Sequence, residues 1–170
     1  AAAIARLFAA RFDPKIQSRN SQVSRLTKSL SDLLDKVESA DEDRILRRFW
    51  NGVAATLRTN FFQTDAGGGP KSYLSIKLDS GAVDELPLPR PLREIFVYSP
   101  RFEAIHLRGG LVARGGLRWS DRPEDFRTEI LGLMKAQMVK NAIIVPVGSK
   151  GGFVVKRPPA TGGRDAFIEE

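Results

Sequence analysis

Two glycine pairs place the tightest demand on this chain. Gly115-Gly116 and Gly151-Gly152 each follow a cation directly, Arg114 and Lys150, inside the stretch LVARGGLRWSDRPEDFRTEILGLMKAQMVKNAIIVPVGSKGGFVVK that runs from Leu111 to Lys156. Glycine lets a backbone adopt conformations closed to other residues and lets it come close to a ligand. A cation beside such a turn is placed to meet a carboxylate or a phosphate.

The sequence between the pairs has a clear pattern. Ser120 or Asp121 is expected to cap a helix with Pro123 in its first turn and Glu124 and Asp125 near the positive end of its dipole. Phe126, Ile130, Leu133, Met134 and Met138 form the apolar stripe, with the methionines filling core. Gln137 and Lys140 lie three apart near the C-terminus and share a face. Ala142–Pro146 is a continuous, β-branched apolar run and predicts a buried strand. Val147-Gly-Ser-Lys-Gly-Gly152 then reads as a loop at the C-terminal end of that strand, the edge where open α/β sheets bind ligands. It is not a P-loop, because GxxxxGK[ST] is absent.

Arg114, Lys140 and Lys150 are therefore expected within reach of one another. Clustered cations serve a dianionic ligand, and proximity and burial both depress lysine pKa values. A lysine so depressed works as a general acid/base. Lys135 and Lys156 read as solvated charges, and His106, flanked by apolar residues on a strand, reads as structural.

Composition narrows the chemistry. There is no Cys and a single His, so thiolate catalysis, Cys-metal sites, His-rich zinc sites and a Ser/His/Asp triad are set aside. The longest apolar run is too short for a membrane helix, and no secretory signal is visible. The net charge of +7 suits anionic partners, but the basic residues are dispersed, which does not favour nucleic acid. The chain begins without Met and stops at Ile168-Glu169-Glu170, so it is expected to be a piece of a longer polypeptide.

The remaining sequence divides in two. Residues 1–65 read as helical: a short helix over 1–12 ended by Asp13-Pro14, and a second over 20–38 carrying Val23, Leu26, Leu30, Leu33, Leu34 and Val37. A third follows the capping pattern Ser39-Ala-Asp-Glu42, with Ile45, Phe49, Val53 and Leu57 as its stripe. The last two are expected to pair antiparallel, and the arginines of the third to form a solvated face. Asp65–Pro70 is a flexible boundary. Residues 71–170 read as a partial α/β domain. Strands are expected over 72–78, 94–99 and 102–107, the last joined through Gly109-Gly110 to a strand over 111–113 as a hairpin. A proline-rich connector fills 84–93.

Three segments together carry a family resemblance: Ala113-Arg-Gly-Gly-Leu-Arg118, Leu133-Met-Lys-Ala-Gln-Met-Val-Lys-Asn141 and Val145-Pro-Val-Gly-Ser-Lys-Gly-Gly152. They resemble the substrate domain of the amino-acid dehydrogenases related to glutamate dehydrogenase. The wording RGGLRWSDRPEDFRTE and KAQMVKNA is most similar to the very large NAD-specific bacterial glutamate dehydrogenases. The close match runs from about Leu86 to Pro158.

The resemblance implies a mixed-sheet α/β substrate domain behind an N-terminal helical segment. It also implies oxidative deamination of L-glutamate to 2-oxoglutarate and ammonia with NAD, in a cytoplasmic homo-oligomer. Lys150 matches the catalytic lysine of the KGG motif, which promotes attack of water on the imino acid and its reversal. Lys140 matches the lysine holding the α-carboxylate, with Gln137 assisting, and Gly115 matches a glycine whose backbone lines the pocket. Arg114 stands where the smaller hexameric enzymes carry a lysine that meets the side-chain carboxylate; arginine binds carboxylates bidentately. The segments on either side of Pro146 are each about one residue shorter than in those enzymes. The family's catalytic aspartate and dinucleotide-binding domain are expected outside this chain, which contains no GxGxxG. The alternative from another class is a basic module that binds nucleic acid or acidic proteins; a third is a scaffold segment whose lysine cluster is unused.

Overall fold

The computed structural model describes residues 1–140 and 147–157, without the side chain of Lys140. The expected strand over Ala142–Pro146 lies outside the described residues. The architecture is α/β, as the sequence implies, and the chain divides into two compact units: Ala1–Lys71 with Ile76–Arg90, and Ser72–Ser75 with Pro91–Glu170.

The first unit is built on three helices, α1 (Ala2–Phe12), α2 (Arg19–Leu34) and α3 (Ala40–Ala55). The short first helix is the organiser: α1 packs on both α2 and α3, more extensively than those two pack on each other. Ile4, Leu7 and Ala10, three apart, give it a buried ridge that joins Leu30 and Leu34 in one core. The antiparallel α2–α3 pair expected from the short connection is thus secondary. The inward face of α3 also differs from the expected stripe. Leu46, Trp50 and Val53 pack on the core, while Ile45 and Phe49 are exposed.

Helix α3 begins where the sequence indicates, with the Ser39 hydroxyl accepting from the Glu42 amide. It ends two residues before Leu57. Thr56 donates its hydroxyl to the Gly52 carbonyl, and the Arg11 guanidinium donates to the carbonyls of Ala54 and Thr56. With its last carbonyls bonded in this way, the chain leaves the helix as strand β1 (Thr56–Thr59). β1 runs antiparallel to β2 (Leu74–Asp79), Thr59 opposite Ile76. Asp65–Gly69 is an ordered turn, because the Asp65 carboxylate accepts from the amides of Gly67 and Gly69.

The second unit holds β3 (Arg93–Tyr98), β4 (Phe102–Arg108), β5 (Leu117–Trp119), α4 (Phe126–Lys140) and β6 (Ser149–Val155). The strand order is β3-β4-β6-β5: β4 lies antiparallel to β3 and to β6, and β5 lies parallel to β6. β5, α4 and β6 therefore form a parallel crossover. One sheet face carries Ile105, Leu107 and Val154 into a core with Phe126, Ile130, Leu131 and Met134 of α4.

Four expectations for this unit are corrected. Leu111–Ala113 is not a strand, and β4 has no hairpin partner there; the Gly109 amide instead donates to the Gly148 carbonyl, so β4 continues onto the β6 side. The Ser-Lys-Gly-Gly segment is not a loop but the start of β6, fully paired with β4. Its glycines fit because a Cβ on Gly152 would stand 2.1 Å from Ile130 Cδ1, and one on Gly151 2.5 Å from Leu117 Cδ2. Helix α4 starts at Phe126 rather than beside Ser120 or Asp121. Ser120 is drawn inward instead, donating to Glu129 at 2.6 Å, with Arg118 on the same carboxylate. That pair, Ser120 first, holds the Glu129 carboxyl below its ordinary range. Lys156, read as a solvated charge, pairs with Glu103 and lies over the Tyr98 ring at 4.3 Å.

Helix α4 is tied to β3 by a bidentate pair: Arg127 Nε and Nη2 donate to the two oxygens of the nearly buried Glu94 at 2.9 and 2.7 Å. Removing one partner strands a buried carboxylate, so Arg127→Leu should destabilise the chain by about 3 kcal/mol. Replacing both with leucine should cost less than the single change. Urea denaturation of the two variants checks this; a double variant weaker than the single one would refute it.

Candidate functional site

The site grows from a close backbone approach. The loop between β4 and β5 turns at Gly115 and Gly116, whose φ angles are +97° and +58°. These left-handed values favour glycine. At Gly115 the requirement is doubled, because a Cβ there would stand 1.7 Å from the Ser149 carbonyl oxygen. The turn thus lies directly on the start of β6, and the Gly116 carbonyl accepts from the Gly151 amide at 3.1 Å.

Side chains fasten this contact from three directions. Arg114 donates from Nε and Nη2 to the Val147 carbonyl, at 3.2 and 2.9 Å. Gln137, one turn before the end of α4, accepts from the Ser149 amide at 3.1 Å through Oε1. Its Nε2 would be 3.1 Å from a Cβ on Gly115, so one amide spans turn and strand. From β4, His106 places Nε2 3.2 Å from the Ser149 hydroxyl and 3.4 Å from the Arg114 carbonyl. Ser149 is completely buried beneath these groups.

Lys150 is half-buried on β6 opposite Leu107. Strand alternation puts it on the face of Gly152 and Val154, which is the face covered by α4. The structure therefore brings Arg114, Gly115, Gln137 and the Lys150 backbone together around Ser149. Lys140 is the last residue of α4, and its side chain lies outside the described residues. The bonds that Arg114 and Gln137 make to Val147 and Ser149 are structural ties to β6, which sequence alone did not indicate. Reasoning from sequence also passed over Ser149 and set His106 aside. The available signal was positional: Ser149 directly precedes Lys150, and His106 stands opposite Gly151 once β4 and β6 are paired.

The electrostatics around His106 are those of a neutral ring. Burial pushes its pKa below the ordinary value and repulsion from Arg108 adds to this, while the Arg114 carbonyl acts in the opposite sense. Among the described residues no group of three or more His, Cys, Asp or Glu side chains is placed to hold a metal. The turn from β5 into α4 reads Ser120-Asp-Arg-Pro-Glu-Asp125, with three acids and no glycine where a pyrophosphate would need bare amides.

The chain matches the family model described as bacterial NAD-glutamate dehydrogenase, catalytic domain, over residues 29–170. It is 61% identical over 146 residues to the NAD-specific glutamate dehydrogenase of Pseudomonas aeruginosa, which covers 86% of this chain and 9% of that protein. The proteins of the same name from Halomonas elongata and Mycobacterium tuberculosis are 54% identical over 164 residues and 65% identical over 134. Those matches cover 96% and 78% of this chain, and 10% and 8% of the relatives. The chain spans about a tenth of the length of the curated relatives it matches.

Two tests address the geometry. Gly115→Ala should destabilise the chain by about 2 kcal/mol or more, since it combines a left-handed backbone with a clash against β6. Gly116→Ala, whose Cβ meets open space, should cost only about 1 kcal/mol. Equal losses on urea denaturation would refute the close approach. For His106 the folded state binds a proton less readily than the unfolded state, whose pKa is about 6.5. Its stabilising contribution is therefore complete above that pH and is lost as pH falls below it. His106→Gln should flatten this part of the stability–pH curve relative to the unaltered chain.

Proposed function

The chain belongs to the bacterial NAD-glutamate dehydrogenase catalytic-domain family, and from that premise we propose that it is the substrate-handling part of an enzyme that oxidatively deaminates L-glutamate to 2-oxoglutarate and ammonia. One observation carries the reading. The segments that hold Arg114-Gly115, Gln137 and Lys150, far apart in sequence, converge on one place between β6 and the C-terminal half of α4. In this reading Lys150 moves the proton that accompanies attack of water on the imino acid, and its return. Lys140, ending α4, holds the α-carboxylate. Gly115 lines the pocket through its backbone, and Gln137 and Arg114 face the same substrate while fixing the strand that carries Lys150.

In the whole enzyme, bound NAD would supply the hydride acceptor. It is held by a domain outside this chain, consistent with the glycine-free turn before α4. The catalytic aspartate also lies elsewhere in the polypeptide, so these residues alone do not complete a turnover. We place the enzyme in the cytoplasm as a homo-oligomer; among the described residues no helix is long and apolar enough to cross a membrane.

The test is Lys150→Met in the full-length enzyme. Turnover should fall at least about 100-fold, the range for loss of a proton-transfer group, with the thermal unfolding midpoint unchanged. Near-normal activity would refute the assignment.

A further inference from the structure

We propose that His106 and Ser149 form a positioning pair for Lys150, an inference that rests on the role given to Lys150 above. Ser149 precedes Lys150 on β6, and the Arg114 carbonyl precedes Gly115 in the turn that lies on it. The His106 imidazole touches both, Nε2 being 3.2 Å from the Ser149 hydroxyl and 3.4 Å from the Arg114 carbonyl. It is also packed against the strand itself: a Cβ on Gly151, directly opposite His106 in the ladder, would be 3.2 Å from its Cδ2.

The ring nitrogen has one role at a time. Protonated, Nε2 donates to the Arg114 carbonyl; bare, it accepts from the Ser149 hydroxyl. In either tautomer the ring ties β4 to one wall of the site. Gln137 holds the Ser149 amide from the opposite side, at 3.1 Å. The residue before Lys150 is thus clamped at its hydroxyl by β4 and at its amide by α4, and it is fully buried. A lysine has four rotatable bonds, so the direction of its stem where it leaves the backbone decides which part of the site the ammonium can reach. The clamp fixes that direction. His106 and Ser149 need not touch the substrate to influence the chemistry.

A side chain that positions a proton-transferring group alters the chemical step more than substrate binding. In the full-length enzyme, Ser149→Ala removes one oxygen from a site with no room to rearrange. His106→Phe keeps a ring of similar size but no nitrogen. Each change should lower kcat by roughly 10- to 100-fold, the scale of a misplacement of about 1 Å, while KM for glutamate changes less than about twofold. The double variant should be no slower than the worse single variant, because both break the same contact.

Thermal unfolding of each variant is followed alongside. If His106→Phe fails to fold, Ser149→Ala decides alone. Unaltered kcat in a folded Ser149→Ala enzyme would overturn the proposal, as would losses that multiply in the double variant. Lys150→Met, measured in parallel, separates the two layers. If it retains turnover, the role of Lys150 fails and the positioning pair falls with it. If it is inactive while Ser149→Ala is normal, only the positioning pair is lost.

Discussion

The Ser149 carbonyl oxygen occupies the place where any residue but glycine at position 115 would put its first side-chain atom. That contact brings the loop after β4 against β6, and the rest of the site depends on it. With the two backbones this close, the guanidinium of Arg114 reaches the Val147 carbonyl, and Gln137 spans both segments from α4. Move the turn outward by the width of a methyl group and these bonds cannot all be made. The site is therefore less a set of converging cations than a backbone junction fastened by polar side chains, from which Lys150 projects.

This changes how the two cation-glycine pairs compare. Gly115-Gly116 is a true turn with left-handed backbone. Gly151-Gly152 lies in an extended strand, where the absence of side chains admits Ile130 on one face and Leu117 on the other. The same dipeptide thus answers two physical needs: conformational freedom in one case and close packing of neighbours in the other. Sequence cannot separate these, because the identity of the packing neighbour is a tertiary fact.

Much of the second unit was legible. The strand readings at 94–99 and 102–107 marked β3 and β4, and the stripe of Phe126, Ile130, Leu133, Met134 and Met138 marked α4. Only Phe126, Ile130 and Met134 of that stripe are buried, however; Leu131 joins them, and Leu133 and Met138 are exposed. What escaped has common causes. β6 was hidden because Ser-Lys-Gly-Gly lacks the residues that favour strands, and its pairing comes from β4 and β5 on either side. The hairpin expected at Gly109-Gly110 was displaced because β4 already has partners on both edges. In the first unit, Leu57 continued the helical period, yet Thr56 and Arg11 end the helix by binding its last carbonyls. The candidate residues Arg114, Gly115, Gln137, Lys140 and Lys150 came from motif resemblance. The bonds linking Arg114 and Gln137 to β6, and the contacts of His106 with Ser149 and the Arg114 carbonyl, are tertiary facts that no local pattern encodes.

The most direct measurement is a structure of the full-length enzyme with 2-oxoglutarate bound. If Lys150 carries the chemistry, its ammonium will lie within about 3 Å of the ligand's C2 oxygen, the reach needed for proton transfer, with the ligand over the junction of Gly115, β6 and the end of α4. A ligand bound away from β6, leaving Lys150 without contact to it, would contradict the assignment of this junction as the catalytic site.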